Sequence, residues 1–244
     1  MGAAGGDALK PGGSGRGTAT NAARRARAYG PLRRLLYLLC WLAGNALFRV
    51  WFRMRVRGLP RPFPRGPLVL AANHVSYLDP VALALAVPRR VTYLVTSAVY
   101  FQPLFRPWMW IFGCIPVDDD SVNVDAVRMA VAALRGGGVV GIFPEGGISD
   151  DGRLREGEFG VASLLRQSDA PVLTAGIVGT FDALPRGARF PRPRRVEVRF
   201  SERIEPGVVA AGLEPRAARR ALRDRVMAAI ERVLPAAMAR SRAT

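Results

Sequence analysis

Apolar and polar positions along the 244-residue chain follow two different periods. Strand-like apolar runs at Leu68–Ala72, Val91–Thr96, Val139–Phe143 and Val172–Val178 predict strands, the first of them short and buried, set off by Pro, Gly or polar turn residues. Val196–Phe200 alternates and predicts a strand with one buried face. Between these runs the period lengthens. Pro80–Ala86 suits a helix start, and Val124–Leu134 places apolar residues three and four apart until Gly136-Gly137-Gly138 stops it. Phe159–Gln167 is helical, and Pro215–Met238 predicts a basic amphipathic terminal helix that would suit packing on the domain, lying on a membrane or binding a partner. Strands alternating with helices predict an α/β fold with a mixed, largely parallel sheet flanked by helices. The sequence carries no internal repeat.

The first sixty residues follow neither period. Residues 1–30 are Gly, Ala, Ser, Thr and Arg with few large apolar side chains, which predicts a disordered basic tail. No small-residue cleavage site follows the next apolar run, so the segment makes a poor secretory signal. Leu35–Phe48 is apolar apart from Gly44 and Asn45, with Arg33 and Arg34 before it and Arg49, Arg53, Arg55 and Arg57 after it. About 14 uncharged residues fall short of the ~20 needed to span a bilayer. With Tyr37, Trp41 and Trp51 inside, the pattern predicts a membrane-associated helix in residues 31–58 that lies in the interface or dips into one leaflet. A buried core helix is the alternative. Leu104–Phe112, with Trp108 and Trp110, reads as a second helix touching membrane. The predicted organisation is therefore tail 1–30, apolar helix 31–58, α/β domain 59–210 and terminal helix 211–244.

Composition narrows the chemistry. A single histidine, His74, excludes sites needing two His ligands, and two distant cysteines, Cys40 and Cys114, exclude a disulfide framework or a Cys-rich metal site. With 36 basic and 19 acidic residues the net charge is +17, which attracts polyanions: nucleic acid, anionic lipid or phosphorylated ligands. Arginine clusters at Arg192, Arg194 and Arg195 and at Arg219, Arg220 and Arg223 would serve nucleic acid. No nucleic-acid-binding motif accompanies them, however, and the aromatics sit among apolar residues.

Two motifs follow predicted strands, where α/β folds place their sites. Asn73-His74-Val75-Ser76-Tyr77-Leu78-Asp79-Pro80 sets a carboxylate five residues after the histidine. Asp79 would accept a hydrogen bond from one imidazole nitrogen and leave the other free to take a proton from a hydroxyl. Asp79-Pro80 is equally a good cap and first turn for the next helix. Phe143-Pro144-Glu145-Gly146-Gly147 puts a carboxylate on a Pro/Gly loop at a strand end, placed to bind a substrate hydroxyl or orient a basic group.

Together, Asn-His-x4-Asp followed about 70 residues later by Phe-Pro-Glu-Gly resembles the lysophospholipid acyltransferase family, typified by 1-acyl-glycerol-3-phosphate acyltransferase. The resemblance covers residues 30–205 and takes in Gly113 to Val117, Asp151 to Leu154, Gly160 to Ala162 and Ala170 to Gly179. It implies acyl transfer from acyl-CoA or acyl carrier protein to a lysophospholipid hydroxyl, most simply that of 1-acylglycerol-3-phosphate. His74 would be the general base and Asp79 its orienting partner. Substrate contacts are implied at Asn73, Ser76, Gly113, Phe143, Pro144, Glu145, Gly146 and Gly147. The resemblance further implies no cofactor beyond the acyl donor, no metal, membrane lipids as partners, and a place on the cytoplasmic face of the cell membrane. The sequence departs from the family at two arginines that would grip the acceptor phosphate: those positions hold Asp119, within Asp118–Asp120, and Ile148. A family basic residue before Gly160 is replaced by Glu158. These changes favour either substitute arginines (Arg153, Arg155 or Arg128) or an acceptor with a cationic headgroup, such as ethanolamine or ornithine. A catalytically silent lipid-binding relative is the remaining alternative.

Overall fold

The computed structural model describes residues 30–103, 106–117 and 125–240. The basic tail before Gly30, the start of the segment predicted from Leu104, the Asp118–Asp120 run and Val124 lie outside the described residues.

Seven strands form one sheet in the order β1-β7-β6-β2-β5-β3-β4. Strand β2 (Leu68–Ala72) lies centrally, parallel to β5 (Val139–Ile142) on one side and to β6 (Val172–Val178) on the other. Being covered on both faces, it reads as an unbroken apolar run, and all five residues are buried. Strand β3 (Val91–Thr96) pairs parallel with β5 and with the short β4 (Ile115–Val117). Strand β7 (Glu197–Ile204) is antiparallel to β6 and carries β1 (Arg55–Arg57) parallel on its outer edge.

The pleat sends alternate side chains of β2 into two cores. Leu68, Leu70 and Ala72 face the first, with Phe48, Phe52, Tyr93 and helix α2 (Asp79–Ala86). Val69 and Ala71 face the second, with helices α5 (Asp125–Arg135), α6 (Phe159–Ser168) and α9 (Pro215–Glu231). Helix α9 buries Ala218, Leu222, Val226, Met227, Ala229 and Ile230, so of the three placements open to this helix the structure shows packing on the sheet. It ends at Glu231, short of the predicted Met238, because Pro235 cannot continue it; a 3-10 turn covers Ala236–Met238.

Helix α1 (Pro31–Val50) buries only Asn45 and Phe48, near its C-terminal end. Leu32, Leu35, Leu38, Leu39, Leu42 and Leu47 are exposed. Its Tyr37 meets Phe112 of α4 (Arg106–Phe112) edge-on at 5.5 Å, and the guanidinium of Arg33 lies 4.6 Å from the centre of the Trp110 ring. Trp108 and Trp110 are themselves half-exposed beside α1. Among the described residues no helix is long and apolar enough to cross a membrane. Three short helices complete the fold: α3 (Ser97–Tyr100), α7 (Thr180–Ala183) and α8 (Pro206–Ala210).

Candidate active site

The loops that leave the C-terminal ends of β2 and β5 meet. His74 lies near the start of the first, and its ring stacks on Phe143 of the second at 4.1 Å and 18°. Phe143 in turn lies parallel to Tyr93 of β3 at 6.0 Å, which gives the imidazole an aromatic floor. The backbone N–H of Ser149 donates to the carbonyl of His74 at 2.8 Å and joins the two loops again.

Asp79 decides between the two readings of its motif. It stands in the first turn of α2 yet caps no helical N–H. Instead its Oδ2 faces backwards and accepts three hydrogen bonds: from the N–H of Val75 at 2.6 Å, the N–H of Ser76 at 2.7 Å and Nδ1 of His74 at 3.0 Å. Its side chain is wholly buried, whereas that of His74 keeps 16% of its surface exposed. A carboxylate there holds the proton on Nδ1 and leaves Nε2 as the acceptor nitrogen. Nε2 has no hydrogen-bond partner among the described residues.

Glu145 sits 2% exposed behind this pair. Its Oε1 accepts the N–H of His74 at 2.5 Å and its Oε2 the N–H of Arg155 at 2.8 Å. Burial pushes its carboxyl up from the usual range to about 7, against the pull of those two donors. Its two oxygens brace the two loops from inside, and Glu145 also lines an open cavity. Gly146 makes the turn that lets it do so, with φ 71°, and a Cβ there would also displace the Glu158 carboxylate, 2.5 Å away.

Other expected substrate contacts are structural supports. Asn73 is fully buried; its Nδ2 donates to the carbonyl of Ile177 at 3.0 Å and its Oδ1 accepts the N–H of the same residue at 2.7 Å. The amide thus clamps the β2 loop to β6, and a substrate has no access to it. Ser76 is buried and donates to the carbonyl of Leu184 at 2.7 Å. Pro144 is buried, its carbonyl accepting the N–H of Glu158 at 2.7 Å. Gly113 is not brought to the site. It precedes Ile115, which lies one residue past the row Leu70, Gly141 and Tyr93. Three strand spacings of ~4.8 Å separate β4 from β2, and Gly113 stands below the strand ends where His74 sits. Gly146 is exposed and Gly147 partly so.

Sequence reasoning offered Arg155 only as one of three substitutes. The structure puts its guanidinium over Gly147, with Nη1 3.2 Å from where a Cβ would stand. The signal was Gly147 itself, whose missing side chain leaves the space. An open cavity of about 800 Å³ is lined by Glu145, Arg155, Glu156, Glu158, Phe159 and Arg223; His74 is not among its lining residues. Among the described residues no group of three or more His, Cys, Asp or Glu side chains could hold a metal ion.

Residues 53–178, more than half the chain, match the family model described as Acyltransferase. The chain belongs to the acyltransferase family. Among curated acyltransferases it is 26% identical to the chloroplastic 1-acyl-sn-glycerol-3-phosphate acyltransferase BAT2 of Brassica napus over 57% of this chain and 41% of that one. It is 26% identical to 1-acyl-sn-glycerol-3-phosphate acyltransferase alpha of Mus musculus over 70% of this chain and 60% of that one. The matched stretch thus spans about two-fifths of the Brassica relative's length and three-fifths of the mouse relative's. In fold, this acyltransferase chain is similar to the crystal structure of the 1-acyl-sn-glycerophosphate acyltransferase PlsC from Thermotoga maritima. The TM-score is 0.68 at 20% identity, over 88% of this chain and 87% of that one.

Proposed function

We propose that this protein is an O-acyltransferase that moves a fatty acyl group from a thioester donor, acyl-CoA or acyl carrier protein, to the hydroxyl of a lysophospholipid. The first acceptor is 1-acylglycerol-3-phosphate, the substrate class in the names of its relatives. The observation that carries the reading is the His74 Nδ1 bond to a fully buried Asp79, with Nε2 left free.

In this reading Nε2 accepts the proton of the acceptor hydroxyl as its oxygen attacks the thioester carbonyl. A C–O bond forms, the C–S bond breaks, and the imidazolium returns the proton to the departing thiolate. Asp79 stabilises the imidazolium between those steps. No acyl-enzyme is required, and the thiol of Cys114, pushed up to about 11 by burial, makes a poor nucleophile. Arg155 stands one residue from Ile148, where the family would place an arginine. It is the cation this reading assigns to the acceptor phosphate. Helix α1, with its row of exposed leucines, and α4, with its two tryptophans, would rest on the membrane surface and admit acyl chains.

A second acceptor is favoured by one observation. Glu156 and Glu158 line the cavity beside Arg155, and such a wall suits an amine-bearing headgroup. The test supplies labelled oleoyl-CoA with lysophosphatidic acid, lysophosphatidylethanolamine, lysophosphatidylglycerol and lyso-ornithine lipid in mild detergent. Label in phosphatidic acid is expected, falling about 100-fold or more in His74→Ala. Label in an amine-bearing lipid instead would move the acceptor assignment to the glutamates. No label from either acyl-CoA or acyl carrier protein would overturn the enzyme reading.

A further inference from the structure

Two segments that carry only basic charge lie side by side at the β1 edge of the sheet. Residues 49–57 hold four arginines and residues 186–195 hold five, and neither stretch has an acidic residue. Backbone bonds join them. The N–H of Val196 donates to the carbonyl of Phe52 at 2.9 Å, and the N–H of Arg55 donates to the carbonyl of Val196 at 3.0 Å. Phe52 and Val196 are buried in the first core, and the residues beside them in sequence, Arg53 and Arg195, are exposed. So are Arg55 and Arg57 on β1 and Arg192 and Arg194 on the facing segment. Arg57 pairs with Glu197, whereas Arg192, Arg194 and Arg195 have no carboxylate partner among the described residues.

The second segment also holds an open aromatic side chain. Phe190 is 81% exposed, with Arg189 before it and Arg192 just after. Its backbone is constrained. The N–H of Arg192 donates to the carbonyl of Ala183 at 2.7 Å and closes the neck of the loop. The N–H of Ala188 donates to the carbonyl of Pro185 at 3.0 Å around Gly187, whose φ is 86°. Pro191 and Pro193 fix the remainder. One exposed apolar side chain is ordinary. A ring held in water among unpaired cations adds nothing to stability, since the ring stays wet and like charges repel.

We infer that the loop of residues 186–195 and the β1 edge together form a binding surface for anionic phospholipid headgroups, with Phe190 entering the bilayer interface among them. This rests on the placement of α1 on a membrane. Continuity selects a bilayer over other polyanions. Helix α1 runs into the arginine edge through Leu47, Val50 and Trp51, all exposed. A nucleic acid or an acidic protein would neutralise the arginines and leave those side chains and Phe190 in water. A bilayer with anionic headgroups takes both. The surface is also tied to the functional site. Ser76, on the loop that carries His74, donates to the carbonyl of Leu184 at 2.7 Å, at the neck of the arginine loop.

The test is sedimentation of the intact protein with vesicles at low salt, using phosphatidylcholine alone and phosphatidylcholine mixed with phosphatidylglycerol. Unfolding curves check the folding of each variant. Arg192→Gln/Arg194→Gln/Arg195→Gln is expected to lose about tenfold or more in affinity for the mixed vesicles and to bind the neutral ones as wild type does. Arg216→Gln/Arg219→Gln/Arg220→Gln removes the same charge from α9 and should stay within about threefold of wild type on mixed vesicles. Phe190→Ser should weaken binding to mixed vesicles about threefold or more. Equal losses in the two arginine variants would make net charge the cause and overturn the inference. Unaltered vesicle affinity in the Arg192–Arg195 variant, or a loss seen only with an oligonucleotide or an acidic carrier protein, would overturn it too. Wild type that ignores neutral vesicles, while its binding to mixed ones depends on Arg192–Arg195, would leave this surface assigned and overturn only the membrane role of α1. No acyl transfer enters the measurement, so failure of the acyltransferase reading would not touch it.

Discussion

Three buried side chains hold the histidine loop, and each does so through backbone groups of another segment. Asn73 is the clearest. Its amide satisfies both polar groups of Ile177 inside the protein, so Asn73→Ala leaves a buried N–H and a buried carbonyl unpaired. A loss of about 2–4 kcal/mol is expected in urea unfolding, with a smaller change in KM than in stability. A large KM effect at unchanged stability would return Asn73 to the substrate. Glu145 gives a pH signature. Its folded carboxyl titrates near 7, above its ordinary value of 4.5, so the folded state holds the extra proton between those values. Stability from this group is therefore complete below about 4.5 and declines as pH rises towards 7, by roughly 3 kcal/mol at most. Glu145→Gln should flatten the stability profile between pH 4.5 and 7, as read by thermal unfolding at matched ionic strength. A wild-type profile that rises across that interval, with the slope removed in the variant, would mean that the two N–H donors outweigh burial.

At the scale of elements, helix α1 has two parts with different work. Its C-terminal end is anchored: Phe48 joins the first core, and Trp41 packs against that cluster. Its outer face is left uncovered by the described residues, with Leu35, Leu39 and Leu42 half-exposed at offsets of four and seven. Replacing these three by Asn should abolish sedimentation with vesicles of neutral lipid yet leave the unfolding curve near that of wild type, because none is in a core. Unchanged sedimentation would assign vesicle docking elsewhere. The same contrast explains what could be read before the fold was known. The strands Leu68–Ala72, Val91–Thr96 and Val172–Val178 were legible to the residue because each is a short run dominated by apolar and β-branched residues between Pro, Gly or polar turn residues. Strand β1 was not: all three of its residues are exposed at the sheet edge, and Arg55-Val56-Arg57 reads as the basic flank of the apolar segment. Strand β4 holds only three residues beside a sheet edge, too few to show a period. The His74–Asp79 pair was legible because the two residues share one loop, five positions apart. The inward roles of Asn73, Ser76 and Glu145 were not, because their partners, Ile177, Leu184 and Arg155, belong to segments that meet only in the fold.

For the whole molecule, the sheet divides the approach to His74 into two sides. On the first-core side stands α1 with its exposed leucines, against which α4 sets its tryptophans; on the second-core side stands α9 with its arginines. A bilayer would meet the apolar side. This arrangement makes hydrophobic and electrostatic docking separable. The net charge of +17 attracts anionic lipid over a range set by salt, with a Debye length of ~10 Å at 0.1 M and ~3 Å at 1 M. Contact through leucine and tryptophan is insensitive to screening. Vesicles of neutral lipid should therefore bind the protein with an affinity that changes little across that salt range. Vesicles containing anionic lipid should bind more tightly at low salt and converge on the neutral value at high salt. Affinity for anionic vesicles that falls to nothing in high salt, with no binding to neutral ones, would leave charge as the whole of the docking force and α1 without a role at the membrane.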